Sequence, residues 1–292
     1  MNRLGERVKR LILMTLGLAC AAAAAGGSDL DRARKSYNLT DFDQSLKILQ
    51  ALPNKNAEVY EFIGRSYFGL GEFKKASDAL EKAVALEPDD AVRHLWLGRA
   101  YGRRAETSSM LTAPGLASKA RQSFERAAQL DPNNLEAQSD LFEYYLEAPG
   151  FLGGGYDKAA TVAEHISKLN AVEGYWAQAK LAEKHKEYSK AEAQLRRAIE
   201  AAPQQIGRLL DLAHLFTKQG RYHDAEVSLA KASQIDPNSP KLMFAKAHFY
   251  IQSKQNLNEA KELLKRYLAS TLSPDDPPRA EAEKLLKQVQ GS

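Results

Sequence analysis

The sequence predicts an all-α protein, a solenoid of antiparallel helical hairpins stacked side by side. A block of residues recurs every 34 positions, and the apolar residues within each block follow helical periodicity. Glycine and proline stand where those helices would turn or end. The chain has 292 residues, which is long enough for one elongated array. Hydrophobic residues make up 44% and charged residues 27%, a composition that argues against global disorder.

The repeat is clearest in the second half of the chain, where five apolar or proline positions return after one full period. These are Tyr188, Ala191, Leu195, Ala198 and Pro203, which recur as Tyr222, Ala225, Leu229, Ala232 and Pro237. In the first half, Ile63, Gly64 and Tyr67 return as Leu97, Gly98 and Tyr101. Small residues at these positions predict two helices that approach closely.

The spacing divides the chain into one element after another. A degenerate hairpin is expected at 29–54. Repeats of two helices each follow at 57–90, 91–134, 135–171, 172–205, 206–239 and 240–273. A last helix at 277–289, opened by two prolines and rich in Glu and Lys, is expected to cap the array with its polar face.

This pattern resembles the tetratricopeptide repeat (TPR) family, and in particular exported bacterial TPR-repeat proteins. The resemblance covers nearly all of the chain after position 25, with anchors in register over three units. It implies a right-handed superhelix whose first helices line a concave groove. It also implies that the protein binds other proteins.

The resemblance assigns the inward positions of the first helices to a partner-binding groove. They are Arg65, Phe68, Leu95, Arg99, Arg103, Glu143, Glu147, Trp176, Lys180, Leu210, His214, Phe244 and His248. Aromatic and arginine side chains are common anchors in protein interfaces. Some relatives grip a C-terminal carboxylate with an Asn and several Lys. Since Arg, Glu, Lys or His stands at the Asn positions here, we do not expect that clamp.

Two repeats exceed the common period, and both carry the excess in the turn between their helices. Ten extra residues lie within 103–118, and five lie around 148–155. Insertions at equivalent places should emerge side by side on one edge of the solenoid. Apolar or turn residues mark them: Met110, Leu111, Pro114, Leu116, Phe151 and Leu152. They either form a partner site or pack on one another as a satellite core, and the sequence leaves both readings open.

The N-terminus reads as an export signal at residues 1–25. Basic residues precede an apolar run over 11–19, and small residues with an A-x-A pattern follow. The run is too short for a membrane span, so no spanning segment is expected after processing. The single cysteine, Cys20, offers a lipid anchor as the alternative to simple cleavage. We expect an exported, periplasmic protein, with envelope attachment as the variant.

The remaining sequence features argue against catalytic activity. After residue 25 there is no cysteine, and no zinc-protease or nucleophile-elbow motif occurs. Charge is nearly balanced there, at 37 basic against 36 acidic residues, which does not indicate a nucleic-acid partner. The glycines at 153–155 predict a flexible turn and no phosphate cradle. We expect no enzyme, no cofactor and no metal site, although His214 and His248 should lie close together.

The sequence therefore favours an exported adaptor that binds a protein or peptide in its concave groove. The alternative is an accessory subunit or assembly factor of an envelope complex, which would dock through the insertion edge at 103–118 and 148–155.

Overall fold

The protein is an array of paired helices, which confirms the predicted fold class. The computed structural model describes residues 29–273 and 276–290, so the predicted signal and Cys20 lie outside the described part. Within that part there is no β-strand, and no helix is long and apolar enough to cross a bilayer.

Helices pair in chain order into seven hairpins and a final single helix. The first helix, α1, takes in residues 29–38. The others are α2 (Phe42–Ala51), α3 (Ala57–Gly69), α4 (Phe73–Leu86), α5 (Ala91–Thr107), α6 (Ala113–Leu130), α7 (Leu135–Glu147), α8 (Tyr156–Leu169), α9 (Ala171–Lys184), α10 (Tyr188–Ala201), α11 (Ile206–Lys218), α12 (Tyr222–Ile235), α13 (Pro240–Ser253), α14 (Leu257–Ala269) and α15 (Arg279–Gln290).

The helix ends follow from local sequence. Asp90 and Asn134 accept hydrogen bonds from the backbone amides of Arg93 and Ala137, each at 3.0 Å, and so cap α5 and α7. Gly71 and Gly220 adopt positive φ values of 76° and 70° after their first helices, as turns into an antiparallel partner require.

The core runs along the array as a series of clusters that share neighbours. It consists largely of alanines and leucines from consecutive hairpins, and Tyr145 packs against two adjoining clusters. Each hairpin therefore stabilises the next, as expected of a solenoid. Small residues allow the close pairing, since a Cβ added at Gly98 would lie 2.6 Å from the ring of Phe124.

The array curves toward its first helices. Successive first helices touch, α3 with α5, α5 with α7, α7 with α9 and α11 with α13, whereas successive second helices make no comparable contacts among the described residues. A stack that is packed more tightly on one side must be concave there. The surface formed by α1, α3, α5, α7, α9, α11 and α13 is called the groove below.

The curvature brings the two ends of the array toward each other. A cleft of about 550 Å³ is lined on one side by the α1–α2 turn and residues 68–70, and on the other by residues of the α14–α15 connection and α15. Arg279 at the start of α15 donates to the carbonyl oxygens of Leu268 and Ser270, which ties the last helix to α14.

Both insertions take a defined form. Compared with the 13 and 14 residues of α3 and α4, α5 and α6 have 17 and 18, so the first insertion lengthens both helices by one turn. The second forms a 3-10 turn, Gly150–Leu152, followed by Gly153 in the left-handed region. The Tyr144 hydroxyl donates to the carbonyl oxygen of Leu152 at 3.0 Å. Hydrogen bonds thus give the glycine turn a defined shape, and its flexibility stays a prediction.

Candidate functional site

The groove is a polar surface in which most charges are already paired. Arg99 on α5 binds Asp140 and Glu136 on α7, at 2.5 and 3.2 Å. Lys184 on α9 binds Glu147 on α7 at 2.8 Å. These pairs join residues 37 to 41 positions apart, so they connect consecutive first helices across the groove floor.

The same arrangement continues toward the C-terminal half. Arg208 on α11 pairs with Glu173 on α9, and Lys218 on α11 pairs with Glu183 on α9 at 2.6 Å. The ladder of ion pairs fixes the relative position of the first helices. It also means that the predicted groove residues Arg99 and Glu147 already have partners within the protein.

Trp96 organises the N-terminal part of the groove. The guanidinium carbons of Arg65 and Arg99 lie 4.6 and 4.9 Å from its ring centroid. Phe68 meets the same indole edge-on at 5.5 Å. The indole is thus flanked by two cations and an aromatic ring, a contact worth about 0.5–1 kcal/mol per cation at an exposed site. The sequence did not assign Trp96 to the groove.

Two predicted groove residues are largely withdrawn from the surface. Leu95 is 2% exposed and packs in the core, so the prediction that it lines the groove is wrong. Leu95 immediately precedes Trp96, and a helix turns successive side chains by about 100°, so only one of the two can face the groove. Trp176 is 8% exposed, covered by Phe142 at 5.6 Å and by the Arg208 guanidinium at 5.4 Å.

A stripe of carboxylates runs along the groove face of α7. Glu136, Asp140, Glu143 and Glu147 are spaced by four, three and four residues, which places them on one side of the helix. Three of the four have an ion-pair partner, and Glu143 is the exception among the described residues. Glu143 is therefore the free carboxylate at the middle of the groove.

Burial raises the pKa of several carboxylates in the groove. Glu143 is exposed to water, yet burial in the concavity raises its pKa, and the neighbouring charge of Asp140 raises it further. Burial likewise raises the pKa of Asp140 and of Asp211, in both cases against the opposing effect of nearby cations. Burial therefore makes ionisation of each of these carboxylates less favourable than in water.

Lys180 lies opposite this stripe on α9. Its charge opposes the rise in pKa of both Glu143 and Asp211, so it lies near both carboxylates. Within the described part of the chain it forms no ion pair shorter than 4.0 Å. The groove centre therefore holds one carboxylate and one ammonium group whose hydrogen-bonding capacity is unused.

The two histidines come together as expected. The rings of His214 and His248 are 6.3 Å apart, and His248 stacks near Phe244 at 6.5 Å. Burial, together with the charges of Lys218 and Lys180, lowers the pKa of His214 to about 4. Burial also lowers the pKa of His248. In the residues that the structure describes, no group of three or more metal-ligating side chains converges here or elsewhere.

The remaining predicted groove positions lie at its margins. Arg103 pairs with Glu106 and lies 5.3 Å from the ring of Phe73. Leu210 and Phe244 line a shallow recess of about 400 Å³ together with Lys241 and Asp211. The sequence did not assign Lys241 and Asp211 to the groove. Each lies three residues before a predicted groove residue on the same helix, Phe244 and His214 respectively, and that spacing indicates the same helix face.

The insertion edge differs in character from the groove. Met110 and Leu111 are 92% and 93% exposed, and Phe151 is 82% exposed. The satellite-core reading is therefore wrong for these three. Leu116 is half-buried against the neighbouring core cluster, Leu152 is half-buried, and Pro114 is exposed. The second insertion packs beside α6, since a Cβ added at Gly153 would lie 2.8 Å from the Arg121 side chain.

Together these features define a class of protein, a curved scaffold of helical hairpins with a charge-lined inner surface. Three models of the family described as tetratricopeptide repeat match residues 57–90, 153–206 and 216–289. The chain belongs to the TPR family, which confirms the resemblance drawn from its spacing. TPR arrays generally act as non-catalytic scaffolds that bind proteins.

Solved structures show the same fold at low sequence identity. A TPR protein from Parabacteroides merdae superposes with a TM-score of 0.60 at 15% identity, covering 91% of this chain and 99% of its own. A thermophilic TPR protein from Thermus thermophilus gives a TM-score of 0.52 at 21% identity, over 69% of this chain and 99% of its own. No curated protein sequence matches this chain.

Proposed function

We propose that this protein is an exported adaptor that holds an extended, basic polypeptide segment in its groove. Glu143 carries the proposal, because it is the one carboxylate of the α7 stripe without an ion-pair partner in the described residues. A lysine or arginine of the partner would complete the ladder at that position. The family supports the general role of protein binding.

The balance of charge supports a basic partner. The groove centre brings together six carboxylates and four cations on α5, α7, α9 and α11. These are Glu136, Asp140, Glu143, Glu147, Glu173 and Asp211, against Arg99, Lys180, Lys184 and Arg208. The local excess of negative charge opposes the basic charge of the whole chain. A cation that enters would relieve repulsion among carboxylates whose pKa values are already raised.

A polypeptide segment also suits the other groups present. Lys180 offers an ammonium donor for a backbone carbonyl or an acidic side chain beside the basic one. Phe244 and Leu210 provide apolar surface in the recess further along the groove. Alternating polar and apolar contacts along one curved surface are the usual way in which a scaffold selects an extended segment.

The groove is tested by direct binding. The probe is a fluorescent decapeptide of alternating lysine and alanine, compared with its glutamate counterpart by fluorescence anisotropy at low and high salt. We expect only the basic peptide to bind, and Glu143→Lys to weaken it by at least tenfold, since a charge reversal at a close contact costs more than about 1.4 kcal/mol.

A matched control separates the groove from general electrostatics. Glu164 is exposed on α8 and makes no ion pair in the described part, so Glu164→Lys changes the net charge equally on the outer surface. It should leave peptide affinity within about twofold. Equal losses in Glu143→Lys and Glu164→Lys would show that the peptide binds by overall charge and not in the groove.

The proposal of export depends on the N-terminal segment, residues 1–25. A basic stretch, a short apolar run and small residues before Gly26 support cleavage of a signal. Mass spectrometry of the chain purified from its host should give a mature N-terminus at Gly26. An N-terminus at Cys20 that carries added lipid mass would instead establish envelope attachment, and an intact Met1 would refute export.

We assign no catalytic activity to the protein. TPR arrays generally act as scaffolds, and most charged groups of the groove floor are engaged in ion pairs between helices, with Glu143 and Lys180 as the exceptions in the described residues. The alternative of an accessory subunit docking at the insertion edge is supported by the exposure of Met110, Leu111 and Phe151. Replacing Met110, Leu111 and Phe151 by serine should then abolish association without loss of helical content, since all three side chains are exposed.

A further inference from the structure

Exposed apolar side chains collect on one edge of the solenoid, which is formed by the turns inside the hairpins. Among the described residues, these turns and the helix starts that follow them hold seven of the ten exposed large apolar side chains. The seven are Leu39, Leu70, Met110, Leu111, Phe151, Tyr156 and Tyr188. In the part of the chain that the structure describes, the opposite edge, between hairpins, presents only Leu86 and Val92. Single exposed apolar residues are ordinary, but segregation to one edge is not.

The α5–α6 hairpin projects beyond its neighbours on this edge. The four added residues at the end of α5 and at the start of α6 extend it by about 6 Å at 1.5 Å per residue. Met110 and Leu111 form its tip. The backbone of the turn is internally bonded, since the amides of Thr112 and Ala113 donate to the carbonyl oxygen of Ser109 at 3.0 and 2.9 Å. These two hydrogen bonds fix the shape of the tip.

The neighbouring hairpin presents a second tip beside the first. Phe151 stands at the centre of a 3-10 turn whose amides, at Leu152 and Gly153, donate to the carbonyl oxygens of Pro149 and Gly150 at 2.9 Å. The Tyr144 hydroxyl holds the same turn from below. A rigid loop thus keeps a large aromatic ring 82% exposed, which costs free energy in water.

Basic residues lie about one to two turns behind the tips. Arg103 and Lys119 flank the first tip with side chains 43% and 56% exposed, and Lys158 is exposed beside the second. Arg104 is a third cation, and each of the three has a carboxylate within 4.0 Å: Glu106 for Arg103, Asp78 for Arg104 and Glu81 for Lys119. Exposed pairs of this kind contribute little to stability, so the cations can exchange these partners for lipid phosphates. Apolar tips with cations set behind them match an anionic bilayer, whose headgroups lie outside its acyl chains.

We propose that this edge is a lipid-contacting surface, on which Met110, Leu111 and Phe151 enter the interface of an anionic membrane. The projection of about 6 Å falls within the ~5–10 Å depth reached by interfacial segments. A partner protein would need a separate pocket for each nearly free-standing side chain, whereas a bilayer accepts protruding side chains of any shape. The contact is peripheral and is independent of what the groove binds.

The test uses the full-length chain with Cys20→Ser, so that a single introduced cysteine can carry an environment-sensitive nitrobenzoxadiazole label. Labels are placed through Leu111→Cys, Phe151→Cys and, as the control, Val227→Cys. Val227 is 44% exposed on α12, away from this edge. Vesicles contain either phosphatidylglycerol with phosphatidylcholine or phosphatidylcholine alone.

We expect a blue shift for the labels at 111 and 151 with anionic vesicles, a weaker one with neutral vesicles and none at 227. Met110→Ser with Leu111→Ser should raise the lipid concentration at half-shift for the label at 151 roughly tenfold or more, given about 1.5–3 kcal/mol for full burial of one such side chain. Circular dichroism should be unchanged, because these side chains make no core contacts.

Three results would overturn the proposal. Vesicle binding without a shift at 111 and 151 would mean that the N-terminal segment alone holds the chain to lipid. An unshifted label, together with capture of a protein by a photocrosslinker at position 111 in cells, would assign the edge to a protein partner and not to a membrane. Equal shifts at 111 and 227 would likewise refute it.

Discussion

Gly98 and Gly102 lie one turn apart on α5. Replacing each by alanine separates the gain in helix propensity from the cost of a steric clash, because only one of the two sites is crowded. Both substitutions stabilise the helix by about 1 kcal/mol through backbone propensity. A Cβ at Gly102 would meet nothing within 4 Å, whereas one at Gly98 would lie 2.6 Å from both Cδ1 and Cε1 of Phe124. Ordinary contact begins at 3.4 Å, so the ring would have to move by about 0.8 Å.

That movement is difficult because Phe124 is buried and packs against Tyr144, with ring centroids 6.2 Å apart. Overpacking of this kind costs about 1–3 kcal/mol. Gly102→Ala should therefore raise the free energy of unfolding by about 1 kcal/mol, while Gly98→Ala should leave it unchanged or lower it by up to about 2 kcal/mol. The structural quantity is the difference between the two variants, which we expect to be about 1–3 kcal/mol.

Urea unfolding followed by far-UV circular dichroism measures this difference. Adding Phe124→Leu should reduce the penalty of Gly98→Ala and leave the effect of Gly102→Ala unchanged, since only the first alanine touches the ring. If Gly98→Ala and Gly102→Ala agree within about 0.5 kcal/mol, close helix approach does not explain the small residue at position 98.

Three further outcomes are expected. Lys186 has a φ of 59° at the turn position equivalent to Gly220, a left-handed conformation that favours glycine. Lys186→Gly should therefore stabilise the protein by up to about 1 kcal/mol, and Gly220→Ala should destabilise it by a similar amount. Thermal melts measure both changes. Glu143→Gln should stabilise the protein at neutral pH by at most about 1 kcal/mol, because solvent screens the exposed carboxylate. The raised pKa of Glu143 means that its ionised form destabilises the folded state, so the stabilisation by Gln should vanish in acid, where Glu143 is protonated. His214 has a folded pKa of about 4 against 6.5, so unfolding takes up a proton between these values and stability falls as the pH drops through this window. His214→Gln should flatten that part of a urea midpoint series, and an unchanged pH profile would contradict the assignment.

Part of the candidate site could be predicted from the spacing. Positions separated by one repeat period occupy equivalent places in successive hairpins, which correctly brought His214 and His248 together. The same reasoning missed Trp96, because a groove position was assigned to its buried neighbour Leu95. An error of one residue on a helix rotates the side chain by about 100°, which is enough to exchange core for groove.

The partners of the charged residues could not be predicted. Arg99 reaches Glu136 and Asp140 on the next first helix, at separations of 37 and 41 residues. Whether such a reach succeeds depends on the shift and rotation between hairpins, which arise from the packing of the whole array. Consequently the sequence assigned Arg99 and Glu143 to the groove but missed Glu136 and Asp140, and only the pairing revealed that Glu143 has no ion-pair partner among the described residues.

The sequence by itself determined that the chain forms a series of helical hairpins, because glycine, proline and apolar spacing act within a few residues of one another. It also located the two insertions, since their excess length interrupts a fixed period. Tertiary structure alone decided that Met110, Leu111 and Phe151 stand in solvent while Leu116 joins the core. Local propensity does not say where a long turn points, since its direction follows from the lengths of α5 and α6 and from the neighbours against which they pack.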